Sequence, residues 1–499
     1  MKKTIVFKYP FALGVLLFAV YLYGVHYLPL RGEEANRILT AYETVKNGDF
    51  FNLTHLGEPY YLKPPLFEWV LAGINILFGW SVEISRLISV LSSFAVALLV
   101  YLFAKKLYGD KTLALLSSFI FLTIGDLILF YGFVAEIDAF HCAVYFSGVV
   151  LTFFLLQRGR LKIAFFTAGL FTALAFLTKG FPALYHLPLT FLVLIFYLNL
   201  WRKLSLTAVL SGIGGIVLPL SVWIFNLKSP QTYLLHLWWE SFNRTPLGES
   251  GKITTFVVHI FTYPLLNLKQ LLPHSLYLFI SKAWKNLRVS RETLFLLTLI
   301  GLNYLPYLVS PGARGRYIII LFPFVALLLS PLLKSFLFKE IRSLKPAVAG
   351  IFLILLLNVF LVVKNLAFFE HHGFLSLLGF VLVFVLTAFV VISQQSNLLG
   401  FTLIFLALVK FSYINYYAPW KEKKHPERLI AERFSQKLPK GVKIRYLPKG
   451  VNMELCTYLD LYTKGLVTKR GGKFFISNTP PKGNYKILDT YKGWILGEF

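Results

Sequence analysis

Runs of about 20 apolar residues, separated by short polar or basic stretches, recur along most of this 499-residue chain. Each run is long enough to cross a hydrocarbon layer of roughly 30 Å as a helix. The pattern predicts about 13 transmembrane helices, near residues 10–29, 86–104, 112–131, 139–157, 163–178, 183–200, 206–227, 264–284, 293–309, 316–335, 346–364, 373–393 and 397–415. The segment LFEWVLAGINILFGW at 66–80 differs: it is short, follows Pro64-Pro65 and contains Glu68. If it crossed, Lys105, Lys106, Lys111, Arg158, Arg160, Lys162, Arg202 and Lys203 would all lie opposite Lys2 and Lys3. Laid in the interface, it puts all of these on the cytoplasmic side, together with Lys282, Lys285, Arg288, Arg291 and the basic stretch 334–345, as the positive-inside rule requires.

That choice gathers the loops 30–85, 132–138, 179–182, 228–263 and 310–315, and the tail after 416, on one outer side. In the first of them, Ile38, Leu39, Tyr42 and Val45 recur at helical spacing, predicting an amphipathic helix on the membrane surface. Glu33 and Glu34 stand at its N-terminus, where the helix dipole favours carboxylates. The tail is polar and basic: PERLIAERFSQKL has helical periodicity, while VKIRYL, KFFIS and YKILDTYKGWIL read as strands between Gly, Pro and Asn turns. The expected organisation is an all-α polytopic membrane domain over 1–416 and a small extracytoplasmic α/β domain over 417–499.

Composition agrees. The chain is 57% hydrophobic and 15% charged, against about 25% charge in soluble domains. Its net charge of +27 reads as basic loops facing anionic head groups, with no nucleic-acid partner expected. Cys142 lies in an apolar run and Cys456 in the tail, so no disulfide framework is implied. The N-terminus, without a small-residue cleavage site before Pro29, reads as a retained signal anchor.

Acidic residues at a membrane edge are costly to bury and mark functional sites. Glu33, Glu34 and Asp138 (in VAEIDAF) are such residues, although Glu33 with Arg37 also forms an ordinary i,i+4 pair. Asp126 is read as structural. Cations share their side: Lys63 before a double proline, Lys179, Arg244 in WWESFNR with Trp238 and Trp239, and Arg314 and Arg316 beside Tyr317. Lys and Arg bind phosphate oxygens, Arg through a bidentate fork, so a phosphate-headed lipid is the expected ligand. His55, His236, His259 and His274 fall on or near this side without metal-ligand spacing. No cofactor is assigned, and a divalent metal stays an open alternative. No Walker loop, Rossmann fingerprint or nucleophile elbow is present.

Taken in order, GEEANRI, EPYYLKPPLFEW, Arg86 in SRLISVLSS, FVAEIDAF, LTKGFPAL and RYIIILFPFVALL resemble the GT-C membrane glycosyltransferases of the dolichyl-phosphate-mannose protein mannosyltransferase superfamily. The nearest likeness is to the bacterial branch that includes aminoarabinose lipid A transferases and lipopolysaccharide uronosyltransferases. The motifs cover about residues 1–340. The resemblance implies inverting transfer of a sugar from a polyprenyl-phosphate donor to lipid A or lipopolysaccharide on the periplasmic face of the bacterial inner membrane, without a nucleotide sugar. It places the family's Asp-Glu pair on Glu33 and Glu34, so a glutamate stands where the family usually has aspartate. It also matches the second acidic position to Asp138, the phosphate-binding lysine to Lys63 with Tyr60 beside it, and a tyrosine to Tyr317. On this reading Glu33, Glu34 and Asp138 are the catalytic carboxylates. Tyr60, Lys63, Arg244, Arg316 and Tyr317 hold the donor phosphate and lipid, while Trp239 and Lys179 orient sugar or acceptor. Transfer of mannose to protein hydroxyls is the alternative enzyme reading, and a lipid or solute transporter the alternative of another class.

Overall fold

The computed structural model describes all residues except 1–9, 246–252, 288, 340–344, 375–376, 379–380, 383 and 386–396. Lys2, Lys3, Arg288 and most of the predicted span 373–393 therefore lie outside the described residues. The protein is a helical, multi-pass membrane protein with a small C-terminal sheet. Among the described residues, six helices are long and apolar enough to cross a membrane: Val82–Tyr108, Ile137–Gln157, Leu161–Lys179, Leu206–Phe225, Gly315–Leu337 and Leu398–Lys424. Five shorter apolar helices accompany them, so the predicted total of 13 crossings is not reached by length alone.

Several expected spans are interrupted for local reasons. The run 112–131 is helical over Lys111–Leu122, breaks, and resumes as a π-helical turn at Leu127–Tyr131. At the break, the N–H of Gly125 donates to the Leu272 carbonyl at 2.6 Å, and a Cβ at this position would stand 2.8 Å from that oxygen. The run 264–284 is likewise divided into helices Ile253–Gln270 and His274–Ile280, the second beginning after Pro273. The segment after Pro64-Pro65 forms a helix of 13 residues, Leu66–Phe78. At 1.5 Å per residue it is about 20 Å long, less than a hydrocarbon core.

The helix expected on the membrane surface is Glu33–Asn47, opened after Gly32 (φ 54°) and closed by a left-handed Gly48. Its environment differs from the expectation. Every residue from Arg37 to Thr44 is buried, because the helix is covered on one side by Leu66–Phe78 and on the other by the C-terminal helix Met453–Thr463. Ile38, Leu39 and Tyr42 share one apolar cluster with Ile430, Phe434, Leu455, Leu459, Val467 and Ile476. Each large apolar side chain so enclosed contributes about 1.5–3 kcal/mol. The faces read as lipid-directed are thus protein-directed.

The last long helix passes beyond residue 416 to Lys424. After it come helix Glu427–Ser435 and a five-stranded sheet, in the order Leu466–Thr468, Lys443–Tyr446, Phe474–Ser477, Trp494–Glu498 and Lys486–Tyr491. The first three of these run parallel, and the last two pair antiparallel as a hairpin. Helix Met453–Thr463 supplies the crossover between parallel strands. It escaped the sequence reading because its apolar residues, with buried Cys456 and Asp460, show no clean amphipathic stripe. Cys142 and Cys456 are free, buried thiols in separate cores.

Candidate active site

A cavity of about 280 Å3 opens where the Glu33–Asn47 helix, the start of helix Ile137–Gln157, the end of helix Leu161–Lys179 and the Arg314–Tyr317 segment converge. Of the sequence-predicted residues, it brings together Glu33, Tyr60, Lys63, Asp138, Lys179, Arg244, Arg316 and Tyr317.

Arg316 is the hub. Its guanidinium donates to Glu136 at 2.6 Å and lies 3.4 Å from Glu33 and 3.5 Å from Asp138. Lys179 donates to Asp138 at 2.6 Å, with its ammonium 4.7 Å from the centre of the Tyr317 ring. Arg244 approaches the same ring at 5.5 Å and is ion-paired with Glu240. Tyr317 is therefore flanked by two cations, whose attraction to its face holds the ring between them. Arg316, expected in the donor-phosphate clamp, is engaged by three carboxylates.

Lys63 is different. Its backbone is fixed by the following prolines and by the Tyr233 hydroxyl, which donates to the Lys63 carbonyl at 2.6 Å. Among the described residues its ammonium has no ion pair or hydrogen bond. Burial, then Arg37 and Arg244, lower its pKa to about 8, with Glu240 opposing. Beside it Arg37, fully buried, donates to Glu68 at 2.6 Å and to the Tyr60 hydroxyl at 2.8 Å. Tyr60 is thus an anchor for Arg37, and Arg37 in turn reaches Glu33 at 3.3 Å.

The two glutamates of the opening pair part company. Burial raises the Glu33 pKa, but Arg37 and Arg316 outweigh it and hold it at about 2. Glu34 turns away from the cavity and is fully buried. Its carboxylate takes a bidentate pair of bonds from Arg86, both 2.8 Å, and a third from the Ala135 N–H at 2.8 Å. Arg86 also donates to the carbonyls of Val25 and Leu28. Desolvation of the Glu34 carboxyl is overcome by Arg86, leaving its pKa lowered. Glu34 is a clamp between the first outer loop, helix Val82–Tyr108 and the 133–136 segment, out of reach of a substrate in the cavity. Trp239 is also displaced from its expected role. It is 54% exposed and does not line the cavity, because on helix Pro230–Phe242 the cavity side carries Glu240 and Ser241.

Sequence reasoning passed over Glu136, Glu240 and Arg37 as site residues. Glu136 was legible only as a neighbour of Asp138. Its extended backbone (φ −108°, ψ 156°), just before the helix starts, lets it face the same cavity as Asp138 in the first turn. Burial and Asp138 raise its carboxyl to about 7 against the opposing pull of Arg316. The Glu240–Arg244 and Glu33–Arg37 spacings of four residues were available signals for the other two.

The cavity is lined by Arg37, Lys63, Lys179, Arg244, Arg314 and Arg316 against Glu33, Glu136, Asp138 and Glu240. Cations outnumber carboxylates, so the interior favours an anion. The four histidines do not assemble: His55 packs on Tyr60, His236 stacks on Tyr61, His259 bonds the Tyr307 carbonyl and His274 meets Thr123. Among the described residues, no three His, Cys, Asp or Glu side chains stand together as a metal site.

Residues 62–225 match the family model for dolichyl-phosphate-mannose-protein mannosyltransferase. The chain is 23% identical over 319 residues to an undecaprenyl phosphate-alpha-4-amino-4-deoxy-L-arabinose arabinosyl transferase of Proteus mirabilis, covering 62% of this chain and 57% of that protein. It is 28% identical over 344 residues to the transferase of that name in Aeromonas salmonicida, covering 66% and 60%. The chain thus spans somewhat under two thirds of the length of these curated relatives. The fold is similar to that of ArnT from Cupriavidus metallidurans bound to undecaprenyl phosphate, with a TM-score of 0.70 at 16% identity over 97% of each chain. The apo form of that protein gives a TM-score of 0.65 at 14% identity, over 96% of this chain and 95% of that one. The resemblance read from the motifs is borne out as a likeness: residues 62–225 match the family model, and the whole chain is similar in fold to ArnT.

Proposed function

We propose that this GT-C membrane protein is an inverting glycosyltransferase. It moves an aminoarabinose- or uronic-acid-type sugar from a polyprenyl-phosphate donor to lipid A or lipopolysaccharide on the periplasmic face of the bacterial inner membrane. The observation that carries the reading is the cation-rich cavity in which Lys63 alone among the lining cations has no protein partner at bonding distance among the described residues. A phosphate oxygen supplies the missing acceptor, and a charge-assisted bond to it is shorter and stronger than a neutral one. Negative charge develops on the donor phosphate as the sugar leaves. Lys63, with Arg244 and Arg316, meets it there, a preorganised electrostatic stabilisation of the leaving group.

The carboxylates divide the remaining tasks. Asp138 holds Lys179 at the donor, while Glu33, in looser contact with Arg316, orients the acceptor. Glu136, the cavity carboxyl near neutrality, is better suited than Glu33 to take a proton from a hydroxyl acceptor, since a general base works best with a pKa near the operating pH. A phosphate acceptor is already an anion and needs no base. Tyr317 sits between Lys179 and Arg244 and fixes their spacing. The family model over 62–225 also keeps transfer of mannose to protein hydroxyls as a second reading.

The test is turnover of purified protein with undecaprenyl-phosphate-linked aminoarabinose and lipid A, read by mass spectrometry of the product. Lys63→Ala, Glu33→Gln and Asp138→Asn are each expected to reduce transfer at least tenfold. Full transfer by all three would sink the assignment. Product on peptide and none on lipid A would favour the second reading.

A further inference from the structure

Before it reaches Lys63, the chain leaving helix Glu33–Asn47 folds into a small hairpin. Thr54–His55 pairs antiparallel with Glu58–Pro59. The two residues between them, Leu56 and Gly57, both have positive φ, 52° and 75°. A two-residue turn of this hand favours Asn, Asp or Gly. Leucine at its first position is strained, and such strain persists only where the surroundings impose it.

The buried Glu43 carboxylate imposes it. Its Oε1 accepts from the Leu56 N–H at 2.5 Å, and its Oε2 accepts from the Gly57 N–H at 3.1 Å and from the Thr54 hydroxyl at 2.7 Å. The Asn47 amide donates to that hydroxyl oxygen at 2.9 Å, which commits the Thr54 proton to Glu43. Burial raises the Glu43 carboxyl above its ordinary value, and these three bonds oppose it. The C-terminal domain closes the outer side of the turn. There the Lys469 N–H donates to the Leu56 carbonyl at 3.1 Å, and Leu56 shares an apolar cluster with Leu455, Leu459 and Val467.

The hairpin leads straight into the cavity. Beyond Pro59 the Tyr60 N–H donates to the Leu53 carbonyl at 2.9 Å, extending the pairing to the residue that anchors Arg37. Lys63 follows three residues later. Its ammonium has no protein partner at bonding distance among the described residues, so its backbone alone aims it. Pro64, Pro65 and Tyr233 fix that backbone on one side, and the hairpin with Tyr60 fixes it on the other.

We infer that Glu43 is a positioning residue for the donor phosphate, acting through the 54–60 hairpin on Lys63. Glu43 does not line the cavity and touches no substrate. The inference rests on the reading of Lys63 as a ligand of that phosphate. It adds that a buried carboxylate outside the cavity, in a turn closed by the C-terminal domain, sets where Lys63 stands.

The experiment measures the Kd of the full chain in nanodiscs for undecaprenyl phosphate, in wild type, Glu43→Gln, Lys63→Ala and the double variant. A glutamine offers one acceptor oxygen where the carboxylate offers two, and turns its NH2 on the other N–H of the turn. Glu43→Gln is expected to weaken binding about tenfold in the wild-type background and less than about twofold in the Lys63→Ala background, because residues acting through one contact are not additive. A merely structural defect would weaken binding alike in both backgrounds. Thr54→Val removes one bond to the same carboxylate from a half-buried side chain. Run through the same cycle, it is expected to give a loss of about threefold, again only where Lys63 is present, so the result does not depend on Glu43→Gln folding. Full affinity in both Glu43→Gln and Thr54→Val, or equal weakening with and without Lys63, would overturn the inference and leave the proposed function standing. Wild-type affinity in Lys63→Ala would instead overturn the reading of Lys63 as a phosphate ligand, and the inference with it.

Discussion

Removing the carboxylate of Glu34 separates architecture from chemistry. Glu34 and Arg86 are both fully buried, joined by two 2.8 Å bonds, and Arg86 is further tied to the carbonyls of Val25 and Leu28. Glu34→Gln keeps the shape but leaves a guanidinium without its counter-charge in a water-poor interior. Breaking a buried pair this way costs about 3–5 kcal/mol, a large share of the roughly 5–15 kcal/mol that separates folded from unfolded chains. Replacing both partners by apolar residues, Glu34→Leu with Arg86→Met, is expected to cost less than Glu34→Gln alone, because no charge is then stranded. Denaturant unfolding in detergent, followed by tryptophan fluorescence, reads both. The sign with pH follows from a lowered Glu34 pKa: the stabilisation is present above the unfolded carboxylate range near 4.5 and is lost as pH falls through the lower folded value. The deficit of Glu34→Gln should accordingly shrink in acid. A Glu34→Gln protein that unfolds at the wild-type midpoint yet has lost transfer as completely as Glu33→Gln would refute this reasoning and return Glu34 to the chemistry.

Donor affinity should fall in two steps as pH rises. Glu136 loses its proton near 7 and adds negative charge to the cavity, and Lys63 loses its own near 8. The donor phosphodiester keeps one charge throughout, so its KM against pH reports the protein: Glu136→Gln is expected to erase the lower step and Lys63→Arg the upper. Lys63→Ala should weaken donor binding about 10- to 100-fold, the loss of one hydrogen bond to a charged group at roughly 1.5–3 kcal/mol, measured as donor Kd. Trp239→Ala, outside the cavity, should leave kcat/KM within twofold of wild type, and a tenfold fall would restore its orienting role. Glu33→Asp shortens the carboxylate by about an ångström, and misplacement of that order can cost ~10²-fold in kcat; unchanged single-turnover rates would show that Glu33 does not need its present reach.

What the sequence made legible was whatever depends on local spacing or on membrane energetics. Apolar run lengths gave a polytopic protein, and the distribution of Lys and Arg placed the 66–80 segment off the crossing list. That in turn put Glu33, Lys63, Asp138, Lys179, Arg244 and Arg316 on one side, where the cavity gathers them. Illegible were properties decided by contacts distant in the chain. Nothing near Glu34 signals that Arg86, 52 residues on, will take its carboxylate. Nothing in Ile38 or Leu39 says that the covering surface is Leu455 and Leu459 rather than lipid. A helical apolar stripe looks the same facing a bilayer or a domain more than 400 residues later.

That same covering explains how a glutamate pair can serve at the opening of this site. The Glu33–Asn47 helix is pinned from three directions: by the Thr457 hydroxyl to the Ala35 carbonyl at 3.0 Å, by Glu34 to Arg86, and by Arg37 to Glu68. A helix so constrained fixes the Cα of Glu33, and the extra methylene then lets one carboxylate meet Arg37, Arg314 and Arg316 at 3.3–3.4 Å. These contacts are looser than the 2.6 Å bond from Arg316 to Glu136, so an arriving phosphate competes more easily for the guanidiniums at Glu33 than at Glu136. On the proposed reading, Glu33 is the partner expected to yield, and Glu136 the one expected to keep Arg316 in place when a donor phosphate binds. The backbone supplies the rigidity, and the longer side chain supplies the exchangeable contact.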